Sequence, residues 1–188
     1  MIAPPRLVLA SASPRRRELL EGAGFAVEVR PAAVDETPLP GEAAADYVLR
    51  LARAKARAVE ASGLVLGADT VVVVDGDLLG KPADDAEAGA MLARLAGREH
   101  QVLTGVCLRD PARGREAAQV ETTRVWFAPL SPQEIADYVA SGEPRDKAGA
   151  YAIQGRAARF IPRIEGSYAN VVGLPIATVW ELWREIVG

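Results

Sequence analysis

"LVLASASPRRRELL", Leu7–Leu20, carries the chain from one kind of element straight into another. "RLVLA", Arg6–Ala10, is a short apolar run, the pattern of a buried strand. Ser13 and Pro14 then supply a hydroxyl N-cap and a proline at the first helical position, and "GAG" at Gly22–Gly24 closes the helix. A strand feeding directly into a helix predicts an α/β fold. The residues after the start signal are the wrong charge for it. Arg15, Arg16 and Arg17 stand at the positive end of the helix dipole, where carboxylates are favoured. Helical Cα–Cβ bonds tilt toward the N-terminus, so Arg15 and Arg16 reach back past the helix start. The hydroxyls of Ser11 and Ser13 and free backbone N–H groups converge on the same space. Strand end, hydroxyls, helix N-terminus and cationic forks together predict a phosphate site; an exposed arginine-rich turn is the alternative. Successive helical residues diverge by about 100°, so the three arginines cannot serve one ligand. Arg17 and Glu21, four apart, fit a solvated surface pair.

Composition narrows the partners. The chain has 188 residues, about half of them apolar and a quarter charged, with a net charge of −3. That is ordinary for a globular protein and leaves no general nucleic-acid footprint. Cys107 is the single cysteine, so no intrachain disulfide is possible and a reducing, cytoplasmic setting is expected. The opening "MIAPPRLVLA" has too short an apolar run for a signal segment, and no stretch approaches the ~20 apolar residues of a membrane span. Of 22 basic residues, Lys55, Lys81 and Lys147 are the lysines and the rest are arginine. A compact ammonium and a planar fork are not interchangeable at a tight phosphate or catalytic site. The three lysines therefore mark candidate positions, with chance retention as the alternative.

Further elements follow from periodicity. "FAVEVR" alternates as a strand, and "PAAVDETPLPGE" is a proline-rich loop. A helix is expected from about Ala43 to Ala61 with Tyr47, Leu51 and Ala54 on one face. "LVLGADTVVVVDGDLLG" is strand-rich with a turn at Asp75-Gly76-Asp77. Asp84 to Leu95 fits a helix. "HQVLTGVCLRD" and "EAAQVETTRVWFAPL" fit long strands joined through "PARG". Ser131 starts a helix with Glu134 completing a capping box, and Pro175 to Val187 closes the chain as a helix. The mixture predicts one α/β domain, residues 1–188, around a mixed sheet.

Chemistry-bearing positions stand out against this frame. Asp69 lies in a run apolar enough for a central strand, where an unpartnered carboxylate costs several kcal/mol. A turn amide, a lysine or a metal must compensate it, and a metal ligand, a general base or a structural role at a strand break all remain open. Glu36, in "VDET", is a second carboxylate within the proline-rich loop. "GDLLGKP" is one residue short of a P-loop and has Pro82 where magnesium would need a hydroxyl. "GAGFAV" follows a helix, so it is no dinucleotide fingerprint. With His100 the sole histidine, a zinc cluster, a histidine-based triad and a Cys/His pair are not expected, and Cys107 is expected in the core. "DKAGAYAIQG", Asp146–Gly155, gathers small residues around Lys147, Tyr151 and Gln154, which lets backbone approach a ligand. Gln154 offers one donor and one acceptor to a flat heterocycle edge.

"LASASPRR", "VDE", "LARAKA", "LGADT", "GKP", "SGEPRDKAGAYAIQG" and "GSYANVVGLP" resemble, in this order and over nearly the whole chain, the Maf family of nucleoside triphosphate pyrophosphatases. The resemblance implies a cytoplasmic homodimer of elongated α/β fold, a mixed, twisted sheet flanked by helices, related to the inosine triphosphate pyrophosphatases. It implies cleavage of a nucleoside triphosphate to monophosphate plus pyrophosphate with a divalent metal, Mg or Mn, and no nucleic-acid or membrane partner. Under it Asp69 is the proton acceptor and Lys81 acts beside it. Ser11, Ser13, Arg15, Arg16, Lys55 and Lys81 bind the triphosphate, Lys147 faces the ligand, and Glu36 joins Asp69 in holding metal or orients the substrate. Arg15, Thr70 and Gln154 fall where the family distinguishes substrates, and "GADT" with "AIQG" resembles the branch acting on dTTP and UTP rather than 7-methyl-GTP. A fixed glutamine matches N3–H and O4 of uracil or thymine; a flipped one would match cytosine equally well. A nucleotide-binding regulator of septum formation without turnover, and a triphosphatase releasing single phosphates, are the competing readings.

Overall fold

A computed structural model describes residues 6–188; the reading of Met1–Pro5 as part of no targeting segment lies outside the described residues. In chain order the strands and helices are β1 (Arg6–Leu9), α1 (Pro14–Gly22), β2 (Ala26–Val29), α2 (Ala44–Ala58), β3 (Leu64–Val74), β4 (Asp77–Leu79), α3 (Asp85–Leu95), β5 (Glu99–Asp110), β6 (Arg115–Trp126), α4 (Pro132–Ala140), β7 (Arg163–Glu165), α5 (Tyr168–Val172) and α6 (Ile176–Val187). The sheet has seven strands in the order β2-β1-β3-β5-β6-β7, with β4 on β3. Parallel pairs join β1 to β2 and β3, and antiparallel pairs join β3 to β4 and β6 to β7. The fold is thus the mixed α/β class expected. The chain forms two compact units, one holding residues through Thr70, Thr104–Glu121 and Gly173–Gly188, the other Val71–Leu103 and Thr122–Val172.

In the first unit, strand alternation sorts side chains onto two covered faces. Leu7 and Leu9 of β1, Leu66 and Ala68 of β3 and Val106 and Leu108 of β5 pack with Leu20 of α1 and with Val179, Leu182 and Ile186 of α6. Val8, Ala10, Val65 and Cys107 pack with Ala52 and Ala56 of α2 on the other face. Cys107 is core, as expected, and burial pushes its thiol up to about 12. Gly67 and Gly105 set how closely α2 sits. A Cβ on Gly67 would lie 2.1 Å from the Ala52 carbonyl oxygen, and one on Gly105 would lie 2.3 Å from that of Val48. Only a residue without a side chain lets the helix backbone lie on the strands at these points.

The buried face of α2 differs from the expected one. It runs through Val48, Leu51, Ala52, Lys55 and Ala56, while Tyr47 and Ala54 flank it half-buried. The expected stripe counted apolar residues, and the true stripe contains a lysine whose charge is compensated. Tyr47 instead donates its hydroxyl to the Glu36 carbonyl oxygen at 2.9 Å, tying the proline-rich loop to the helix.

The second unit packs α3, α4 and the segment Glu143–Phe160 around Phe127, Tyr138, Tyr151 and Phe160. Asp75 and Gly76, with φ of 54° and 84°, form the two-residue turn between β3 and β4, a primed geometry that suits the strand twist. Ser131 and Glu134 form the capping box. Between α4 and β7 the chain takes three short 3₁₀ turns, Glu143–Asp146, Ala148–Ala150 and Arg156–Phe160; these lack the periodicity that marks longer elements. His100 is buried among rings, its Nε2 2.8 Å from the Tyr151 hydroxyl. Burial holds its pKa down at about 4.

Gly67→Ala is expected to displace α2 and lower stability by about 1–3 kcal/mol, the usual cost of overpacking; urea unfolding measures it, and an unchanged midpoint would refute the close-approach argument. For His100 the folded state refuses a proton that the unfolded chain accepts below pH 6.5. Stability is therefore complete above that pH and falls as pH drops toward 4. Between pH 7 and pH 5 the loss is about 2 kcal/mol, and His100→Phe is expected to abolish most of that slope.

Candidate active site

β1 lies between β2 and β3, and the two connections that follow it, β1 to β2 and β2 to β3, cross on opposite faces of the sheet. The first passes through α1 on one face and the second through α2 on the other. Such a switch point opens a crevice at the carboxyl ends of parallel strands, where ligands of α/β proteins bind. β1 ends at Leu9, paired with Leu66, whereas β3 runs on. Asp69 and Thr70 consequently stand beyond the end of β1, beside the turn that holds Ser11 and Ser13.

Being adjacent in a strand, Asp69 and Thr70 point to opposite faces. Asp69 follows Val65 and Gly67 on the α2 face. There the Lys55 ammonium lies 2.6 Å from Asp69 Oδ1 and 2.6 Å from Glu36 Oε1. The lysine is the compensator of the buried carboxylate, one of the three the sequence left open. Lys55 and Asp69 side chains are 9% and 11% exposed, and that of Glu36 is 52% exposed. Burial raises the Asp69 pKa above its ordinary 3.8; Lys55, by charge and hydrogen bond, and the Arg16 charge oppose the rise. A carboxylate so placed is a stronger base than one in water and remains held by its lysine.

Thr70 faces α1, where the arginine triplet divides. Arg16 is buried and donates Nε–H to the Gly173 carbonyl oxygen at 2.9 Å, Nη1–H to Ser11 Oγ at 3.1 Å and to the Ala68 carbonyl oxygen at 2.8 Å, and Nη2–H to Thr70 Oγ1 at 3.0 Å. Arg17 pairs with Glu21 at 3.8 Å on the surface, as expected. Arg15, which precedes both, is half-buried. Ser13 Oγ caps α1 by accepting from the Arg16 backbone N–H at 3.5 Å, and the Ser13 N–H donates to Ser11 Oγ at 3.3 Å.

Ser11, Ser13, Arg16, Glu36, Lys55, Asp69 and Thr70 are thus placed by one unit. Lys81, Lys147 and Gln154 belong to the other. There Gly149 donates its N–H to the Gly80 carbonyl oxygen at 3.0 Å, joining the "GKP" and "DKAGAYAIQG" segments. Lys81 is exposed. Lys147 donates to its own turn, to the Glu143 carbonyl oxygen at 2.7 Å and Asp146 Oδ1 at 2.5 Å. Gln154 is exposed beside a cavity of about 440 Å³ lined by Ile153, Ile161, Ile164 and Tyr168. Its loop is pinned on both sides. Tyr138 donates its hydroxyl to Glu143 Oε1 at 2.7 Å and accepts the Ala152 N–H at 3.1 Å, while Glu143 Oε2 accepts the Arg156 N–H at 3.1 Å.

Sequence reasoning missed Thr104, Gly173, Tyr138 and Glu143. Thr104 Oγ1 lies 2.9 Å from Thr70 Oγ1 and is wholly buried; a lone hydroxyl beside Gly105 in an apolar run was its signal. Gly173, at φ 129°, adopts a backbone conformation that side chains rarely allow.

The donor set suits a hard divalent cation. Two carboxylates, Asp69 and Glu36, converge on one point, marked by the shared ammonium, and magnesium is habitually held by one or two carboxylates plus substrate oxygens. Among the described residues there is no cluster of three or more His, Cys, Asp or Glu side chains of the kind that would cage a metal by itself. No helix among them is long and apolar enough to cross a membrane.

The sequence pattern of the family described as "Maf-like protein" matches residues 6–186. A dTTP/UTP pyrophosphatase of Anaeromyxobacter sp. (strain Fw109-5) is 61% identical over 182 residues, covering 95% of this chain and 88% of its own. One from Anaeromyxobacter dehalogenans (strain 2CP-C) is 57% identical, with 96% and 93% covered. One from Geobacter metallireducens is 52% identical, with 94% and 93% covered. The structure of the Staphylococcus aureus Ham1 protein matches with a TM-score of 0.51 at 15% identity, covering 96% of this chain and 98% of that one, which shows a shared fold. With the family pattern running from Arg6 to Ile186 and such relatives alongside it for nearly its full length, the chain belongs to the Maf-like protein family.

Proposed function

We propose that this chain hydrolyses dTTP and UTP, taking up one water to give the nucleoside monophosphate and pyrophosphate. The observation that carries the reading is Asp69: a buried carboxylate of raised proton affinity, pinned by Lys55 at the switch-point crevice beside the Ser11–Arg16 turn. Relatives above half identity bearing the dTTP/UTP pyrophosphatase name support the substrate and the bond cleaved.

Roles follow from chemistry and position. Asp69 accepts a proton from the water that attacks the α-phosphorus. Ser11, Arg15, Arg16 and the α1 N-terminus receive phosphate oxygens, with Ser13 holding the turn. Lys55, Lys81 and Lys147 neutralise the departing pyrophosphate. Gln154, on its pinned loop, presents donor and acceptor to the N3–H and O4 of the base; Thr70 and Arg15 complete substrate selection. A divalent cation, Mg or Mn, held by Asp69 and Glu36, would supply charge neutralisation of the phosphate oxygens. As the family resemblance implies, the enzyme works in the cytoplasm as a homodimer, without a nucleic-acid or membrane partner. The single, buried cysteine and the weak net negative charge suit that setting.

Asp69→Asn is expected to lower turnover of UTP at least ~100-fold with UTP binding retained. Near-normal turnover by the variant would overturn the assignment. A nucleotide panel read by product analysis tests the substrate. UTP and dTTP should give UMP and dTMP faster than CTP, GTP or 7-methyl-GTP react. Fastest turnover of 7-methyl-GTP, or UDP as product, would reject the reading, and nucleotide binding without any product would favour a regulator.

A further inference from the structure

Arg16 is the most heavily bonded cation of the first unit. A guanidinium carries five N–H donors, and four are given to protein acceptors: the Gly173 carbonyl oxygen, Ser11 Oγ, the Ala68 carbonyl oxygen and Thr70 Oγ1. Among the described residues one N–H of Nη2 is left. A fork so committed cannot offer the paired N–H bonds by which arginine grips a phosphate, so its direction is set by whatever fixes the Nη2 end.

That end rests on Thr70, and Thr70 rests on Thr104. Thr70 Oγ1 has three protein groups around it: Arg16 Nη2 at 3.0 Å, Thr104 Oγ1 at 2.9 Å and the Gly173 carbonyl oxygen at 3.3 Å. A hydroxyl has one proton and two lone pairs. When Thr104 donates, Thr70 gives its own proton to Gly173 and every position on its oxygen is taken. Thr70 then acts on substrate through the guanidinium it orients. Thr104 itself is fully buried on β5 and lies behind Thr70.

We propose that Thr104 is a positioning residue of the active site, fixing Thr70 and through it the single free N–H of Arg16 that meets a phosphate oxygen of the substrate. The proposal rests on the hydrolytic reading for its kinetic test, and on the hydrogen-bond geometry of one unit for its premise.

Thr104→Val removes the hydroxyl at nearly constant volume, and Thr104→Ser retains it. Thr104→Val should raise the KM for UTP about tenfold, the scale of one lost hydrogen bond to a charged group, with kcat changed less. Thr104→Ser should restore the KM to within twofold of the wild type. A loss of packing alone would lower Tm and active fraction and leave KM in place. Thr104→Ala deletes the hydroxyl a second way and must show the same KM rise. Thr70→Val should match Thr104→Val, and the double variant should be no worse than either, because the two residues act in series. Calorimetric binding of inorganic pyrophosphate provides a readout without turnover and should weaken in parallel with the KM rise. A wild type that binds pyrophosphate but leaves UTP intact strikes the hydrolytic reading and leaves this test standing. Hydroxyl-deleting variants with wild-type KM and pyrophosphate affinity, or effects of Thr70→Val and Thr104→Val that multiply, overturn the role of Thr104.

Discussion

One ammonium holds the first unit's chemistry in place. Lys55 reaches from α2 to the end of β3 and takes two carboxylates, Asp69 and Glu36, each at 2.6 Å. The lysine and Asp69 are both buried, and neither charge is tolerable there without the other; losing one partner of a buried pair costs about 3–5 kcal/mol. The pair exists because α2 lies almost on the strands, and it can lie there because Gly67 and Gly105 present no side chain beneath it. Two glycines, a lysine and an aspartate are one device spread across β3, β5 and α2.

Strand alternation supplies the second device on the opposite face. Asp69 faces α2 and Thr70 faces α1, so the proposed base and the arginine hub are separated by one peptide unit and share a strand without competing for space. Arg16 and Asp69 still feel each other: the arginine charge holds down the Asp69 pKa that burial raises. Because the net direction is upward, ionising Asp69 costs the fold some stability at neutral pH, and the loss grows as pH rises through its folded pKa. Proton affinity suited to a base and greatest stability thus oppose each other at this residue.

Much of this was legible from residue patterns, and the failures have physical causes. The strand-to-helix entry at Leu7–Leu20, the Asp75-Gly76 turn, the capping box at Ser131 and the two long strands around "PARG" emerge where expected, because local hydrogen-bonding rules decide them. Asp69 was visible as a carboxylate that its strand could not bury unaided. The partner was not visible, since Lys55 sits a strand and a loop away in sequence and occupies a helical position that hydrophobic counting assigns to solvent. The same counting found Leu51 on the buried face of α2 but put Tyr47 and Ala54 there in place of Val48, Ala52, Lys55 and Ala56. The commitment of Arg16 to Gly173, Ala68 and Ser11 depends on contacts across the chain that no local pattern carries. The 3₁₀ turns around Gln154 are held by Tyr138 and Glu143 rather than by periodicity.

The asymmetry of the Lys55 pair indicates how an anionic ligand would enter. Asp69 is walled in by strand and helix, whereas Glu36 rides on the proline-rich loop with half its side chain in solvent. An incoming phosphate oxygen competes for the ammonium with whichever carboxylate is cheaper to release. Releasing Glu36 returns a charge to water, and releasing Asp69 would strand one in the interior. On the proposed reading the exchange would therefore fall on Glu36, whose carboxylate would pass from the ammonium to the divalent cation, leaving Asp69 oriented throughout. The Glu36 carbonyl oxygen bound to Tyr47, the Thr37 carbonyl oxygen bound to Arg50 and the Glu42–Arg50 pair all tie the loop to α2 without using the Glu36 side chain. Substrate charge would then complete the lysine in the place of a carboxylate that the free protein lends it.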